Sequence, residues 1–131
     1  MEKMGKNYKA STIGCIKELG CVTLNEQLGL TGSEVSINEL PVGVSVPFVH
    51  AHKRNEEVYI ILSGKGRFFI DGDEFGVEPG DVVRIDPAGE RCIKADDQEA
   101  IKFICIQTEA KSLVQFTQND GVPSEAKPSW L

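Results

Sequence analysis

Both histidines of the chain, His50 and His52, sit in one stretch, VHAHKRNEEVYIILSGKG, two positions apart. In an extended strand side chains alternate between faces, so residues i and i+2 point the same way with their tips close together. Two imidazoles on one face can share a cation. Glu57 follows in the same stretch, and two imidazoles with one carboxylate form the facial set that non-haem Fe(II) sites use, with positions left for water or substrate. His50, His52 and Glu57 alone could therefore hold a divalent metal.

The elements that must position these groups read as strands. From about Glu34 the chain is a series of short runs rich in Val, Ile and Phe: EVSINEL, VSVPFVHAH, EVYIILS, GRFFI, VVRI, RCIKA and IKFICIQ. The breaks between them are turn chemistry, PVG, SGKG, DGDE, EPGD, DPAGE and ADDQE, and Asp71-Gly72 fits a tight hairpin turn. Many short strands with regular turns imply an all-β sandwich or barrel. Along VSVPFVHAH, Val44, Val46, Phe48, His50 and His52 share one parity, which predicts a core-facing surface ending in two ligand-type groups. TLNEQLGL reads as one helical turn or a loop.

The strand from Glu57 to Ser63 is apolar on both faces, with Tyr59 and Ile61 on one and Val58, Ile60 and Leu62 on the other. A strand apolar on both sides is covered on both sides. In so short a chain the outer cover is a second subunit or the chain's own terminal segments, and a homodimer is expected. The division expected is an N-terminal segment packing on the barrel over residues 1–33, a barrel over 34–110 and a C-terminal arm over 111–131.

At 131 residues the chain is long enough for one core and too short for two. With 20 acidic against 14 basic residues the net charge is −6, and no basic stripe is present to track a phosphate backbone, so nucleic acid is not an expected partner. The run STIGCIKELG, where an export signal would need its apolar region, is broken by Lys17 and Glu18, and nothing approaches a membrane-spanning length. A cytoplasmic protein is expected. The four cysteines, Cys15, Cys21, Cys92 and Cys105, form no C-x-x-C pair and read as reduced thiols.

With the strands laid out, Gly43 to Gly64 resembles the first signature of the cupins: a glycine, then His50, one residue, His52, four residues, Glu57, six residues and Gly64. Gly43 stands one residue further from His50 than the strict pattern has it. The run GDVVRIDPAGERCIKAD resembles the second signature, with Gly80, Pro87 and Gly89 in place and one extra residue before the proline. The resemblance covers roughly residues 34 to 107 and implies a double-stranded β-helix (jelly-roll-like) barrel, usually a dimer. It also implies a metal held by His50, His52, Glu57 and a histidine of the second motif. That last slot falls on Cys92 here, and the terminal asparagine slot on Asp96.

A thiolate at Cys92 would shift preference toward softer ions such as Zn²⁺. Ordinary apolar patterning of RCIKA would instead turn Ile93 and Ala95 inward, carrying Arg91 into the cavity and Cys92 out. The alignment and the pattern oppose each other, and the alignment, which is followed here, turns Cys92 toward the site. Candidate substrate contacts are Tyr59, which also reads as core, with Arg91 and Lys94, whose charges suit a carboxylate or phosphate. The expected function is metal binding (Fe, Mn, Ni or Zn) by a single-domain cupin acting on a small anionic metabolite, with oxygenase, isomerase and decarboxylase chemistry all open. The alternative is a non-catalytic small-molecule-binding or sensor barrel, with or without metal.

Overall fold

A computed structural model describes residues 1–115 and 117–131; Phe116, within the expected C-terminal arm, lies outside the described residues. The strands are β1 (Glu2–Gly5), β2 (Tyr8–Ser11), β3 (Val22–Thr23), β4 (Glu34–Leu40), β5 (Asn55–Gly64), β6 (Gly66–Ile70), β7 (Asp73–Val77), β8 (Val82–Ile85), β9 (Arg91–Ala95) and β10 (Ile101–Glu109). Two single-turn helices, α1 (Asn25–Leu28) and α2 (Thr117–Asp120), complete the elements. The protein is nearly all-β, as the alternation and turn chemistry predict, and no helix among the described residues is long and apolar enough to cross a membrane.

The strands form a five-stranded antiparallel sheet in the order β3-β4-β10-β5-β8 and a three-stranded one in the order β7-β6-β9. Their inner faces meet as a jelly-roll barrel. From the larger sheet come Tyr59, Ile61, Ile85, Phe103 and Cys105, and from the smaller Phe68, Val77, Ile93 and Ala95, all in one buried cluster. Tyr59 meets Phe68 edge-on across the sheets at 5.0 Å between ring centroids, and its own sheet's Phe103, tilted, at 5.4 Å. Burying a side chain such as Phe68 or Ile61 stabilises by about 1.5–3 kcal/mol, so this cluster is the main force holding sheet to sheet.

The Asp71-Gly72 turn expected between β6 and β7 is present, with positive φ at both residues (51° and 95°), the geometry of the two-residue hairpin. TLNEQLGL contains the helical turn α1, closed by Gly29 in the left-handed conformation. In the N-terminal segment β3 pairs with β4, and the Lys102 ammonium, nearly fully buried, donates to the carbonyls of Ile16 and Leu19. That part of the segment lies against the outer face of the large sheet. β1 and β2 pair only with each other.

Gly64 ends β5, and a Cβ there would sit 1.7 Å from the Ala100 carbonyl oxygen, on a backbone with φ +73°. Gly72 also has positive φ, but a Cβ added to it would meet nothing within 4 Å. Gly64→Ala should therefore cost at least about 3 kcal/mol in urea denaturation, against about 1–2 kcal/mol for Gly72→Ala. Equal costs would show that close approach is not what requires glycine at position 64.

Candidate metal centre

The segment carrying the histidines runs antiparallel to β9 without being a continuous strand. Val46 N donates to Ile93 O, and Ala95 N to Val44 O; His50 and Arg91 exchange both backbone bonds, at 3.1 and 2.9 Å, and His52 N donates to Pro87 O. The chain bends at Pro47-Phe48 and takes more residues from Val46 to His50 than β9 takes from Ile93 to Arg91, a bulge in the ladder. The bend corrects the expectation of a uniformly core-facing surface: Val46 packs on the core, but Val44 and Phe48 are exposed, Phe48 to 60%. The direct pairing of His50 with Arg91 puts both side chains on the inner side of the smaller sheet.

Ligating atoms of His50, His52 and Glu57 all lie within 4.8 Å of one another. His52 Nε2 is 2.9 Å from Glu57 Oε1. Two ligands each about 2.1 Å from a metal and at right angles are about 3 Å apart, so this separation matches neighbouring positions around an ion. His50 Nδ1 is buried without a hydrogen-bond partner, which is unusual for a buried polar atom and suits a nitrogen that receives a ligand. The donor set fits a divalent transition metal.

The carboxylate of Glu57 is held from several sides. Oε2 accepts from the Tyr59 hydroxyl at 3.0 Å and from Arg91 Nε at 2.9 Å, while the Cys105 thiol lies 3.7 Å from Oε1. Burial pushes the Glu57 carboxyl up. The hydrogen bond with His52, the charge of Arg91 and the Tyr59 hydroxyl outweigh it and hold the group below its ordinary value. Burial also lowers His50, with Arg91 and His52 adding to the effect against the attraction of Glu57, so its imidazole is neutral at pH 7, the form that binds metal. Burial, the neighbouring Cys105 and Glu57 push the Tyr59 hydroxyl far up, and burial with the Glu57 charge pushes the Cys105 thiol up to about 12. Both groups keep their protons.

The alignment-based placement of Cys92 is corrected. In β9 the buried residues are Arg91, Ile93 and Ala95; the need to bury Ile93 and Ala95 sets the register and turns Cys92 outward. Its thiol donates to the Val46 carbonyl at 3.2 Å and faces an outer groove of about 260 Å³ shared with Ser45, Arg67 and Lys94. Lys94, a candidate substrate contact, shares that outer face and pairs with Asp97. Tyr59 is a core residue that steadies Glu57. Arg91 is the candidate that reaches the interior: it is 1% exposed, Nη1 donates to the Gly89 carbonyl at 2.8 Å, and Nη2 is buried without a partner. The sequence reading missed Cys105, although its parity with the core residues Ile101 and Phe103 gave the signal.

Removing Arg91 would leave the buried Glu57 charge without its guanidinium partner. In protein stripped of metal by a chelator, Arg91→Met should lose about 3–5 kcal/mol at pH 7 by chemical denaturation. Without the guanidinium the Glu57 pKa rises, so on acidification the variant protonates this group before the wild type does. Its deficit should then shrink between pH 7 and pH 4; a deficit that grows with acidification would contradict the ion-pair account.

Residues 36–107 match the cupin domain family. A crystal structure of a cupin protein from Bacteroides fragilis is 48% identical with a TM-score of 0.86, over 92% of this chain and 99% of that one. A candidate sugar phosphate isomerase from Acidithiobacillus ferrooxidans is 25% identical with a TM-score of 0.61, over 68% of this chain and 58% of that one. An uncharacterised protein of Methanocaldococcus jannaschii is 35% identical over 66 residues, 50% of this chain and 52% of that one, so the match spans about half the length of this curated relative. A family match over more than half of the chain, on a barrel of the same architecture, makes this protein a member of the cupins.

Proposed function

We propose that this cupin holds a divalent transition metal on His50, His52 and Glu57 and acts there on a small anionic metabolite. The observation that carries this reading is the convergence of the three ligating atoms within 4.8 Å, with the buried His50 Nδ1 left unpartnered. Iron, manganese, nickel or zinc bound there would supply a Lewis acid, or, for a redox-active ion, a partner for O₂. The chain's own groups have separate tasks. Tyr59 and Arg91 fix the orientation of Glu57, and the low pKa of His50 keeps its lone pair free. A groove of about 460 Å³ lined by His52, Lys53, Arg54, Asn55 and Glu109 reaches the imidazole of His52; Arg54 pairs with Glu109 there, which leaves Lys53 as the cation an anion would meet. The Acidithiobacillus relative's sugar phosphate would be an anion of this kind, which keeps isomerase chemistry beside oxygenase and decarboxylase chemistry.

A second reading, a non-catalytic binder of the same class of molecule, is favoured by one feature. Tyr59 and Cys105 hold their protons and Glu57 is engaged on both oxygens, so proton transfer would fall to the imidazoles.

The outer face of the large sheet supports a homodimer. Val82, Ile60, Ile104, Ile37 and Val22 are paired in register across all five strands, one apolar row. It is covered at Ile37, 6% exposed, and open at Val82, 68% exposed. Continuity of the row past the part that is covered favours a second copy as the missing cover. Sedimentation should give a dimer at micromolar concentration and a monomer for Val82→Glu; a wild-type monomer would remove this assignment.

Bound metal should be near-stoichiometric by mass spectrometry in protein purified without a metal-binding tag, and lost in His50→Ala/His52→Ala. Cys92→Ala should keep its metal, because its thiol faces the outer groove. Metal absent from the wild type even after reconstitution would defeat the metal-site reading.

A further inference from the structure

We infer that Arg91 makes metal binding and small-oxyanion binding at this site mutually dependent, with the free Nη2 of the guanidinium as the anion's anchor. This rests on the metal-site reading and adds to it a ligand class and a coupling. Arg91 and Glu57 face each other at 2.9 Å inside the barrel, with side chains 1% and 3% exposed. Glu57 is the one buried carboxylate among the described residues, where the other buried charged groups are Arg91 and Lys102. Without metal, Arg91 and Glu57 balance each other.

A divalent ion on the triad changes the balance. The ion brings two positive charges, Arg91 one and Glu57 one negative, which leaves two positive charges uncompensated. Low-dielectric surroundings make such a surplus costly, and a bound anion lowers it. The protein also has a donor waiting for that anion. Arg91 Nε is committed to Glu57 and Nη1 to the Gly89 carbonyl, whereas Nη2 is buried and unpartnered. A buried guanidinium N–H without an acceptor is uncommon and points to a missing oxygen. The ligand class that satisfies both the surplus charge and the free donor is a small carboxylate or phosphate oxyanion.

The test is calorimetric titration of Co²⁺ into chelator-stripped protein, alone and with saturating glycolate or inorganic phosphate, corrected for complexes formed in solution. Coupling between the two should raise Co²⁺ affinity by roughly 5- to 150-fold, and Co²⁺ should raise the anion's affinity by the same factor. Which anion gives the larger factor separates a carboxylate ligand from a phosphate ligand. In Arg91→Met the dependence of Co²⁺ affinity on the anion should fall to the small remainder due to the ion's own charge, while Arg91→Lys should keep more of it through its ammonium. Equal Co²⁺ affinity with and without anion in the wild type would overturn the inference and leave the metal site standing, as would undiminished coupling in a folded Arg91→Met. Failure of Co²⁺ to bind under every condition would overturn both.

Discussion

The buried ion pair between Glu57 and Arg91 is the constraint around which the rest of this barrel is arranged. Glu57 belongs to the five-stranded sheet and Arg91 to the three-stranded one, so the pair crosses the interior and joins the two layers. Neither charge can be left alone there, since an uncompensated buried ion costs several kcal/mol. The pair therefore acts on register as much as on cohesion. A slip of β9 by one residue would turn Arg91 to solvent, bring Cys92 inward and strand Glu57. Ile93 and Ala95 on the same face oppose that slip as well, so apolar and ionic demands agree.

The chemistry of the site follows from the same pair. Because Arg91 exchanges backbone bonds with His50, the strand that holds the guanidinium also holds the first imidazole, and Pro87, at the approach to that strand, anchors His52. The carboxylate is then oriented by a phenol and a guanidinium that share Oε2, leaving Oε1 toward the imidazole of His52. The core chemistry is not separate from the site chemistry here. Tyr59 is at once a member of the aromatic cluster and a donor to the Glu57 carboxylate, so packing of Phe68 and Phe103 sets where Glu57 points.

Much of this was legible in the chain. Turn residues and strand-length apolar runs define nearly every strand of the barrel, and the spacing of His50, His52 and Glu57 brings out the three residues that the fold gathers. The hydrophobic alternation of RCIKA also identified the inward residues of β9, and the motif alignment, counting positions, pointed to the wrong neighbour. Alignment carries a slot forward by number, whereas the strand responds to which side chains must be buried. Phe48 shows the opposite failure: alternation holds through Val46 and His50, but a bend at Pro47 lifts the intervening aromatic ring out of the core. The β1-β2 hairpin had no comparable signal, because its apolar residues, Met4 and Tyr8 among them, remain exposed.

Pro47 has a consequence for how the molecule behaves among other copies of itself. The segment from Val44 to His52 lies beyond β9 on the open side of the three-stranded sheet, where an unbroken strand would present a row of free amides and carbonyls to any passing chain. A residue with no amide, set at a bend beside the exposed Phe48, interrupts that row at its centre. Strand-to-strand polymerisation along this border is thereby discouraged, and the histidine segment stays pinned on its inner side, to β9 and to Pro87, so the stretch that carries both imidazoles is guarded against joining another copy edge to edge.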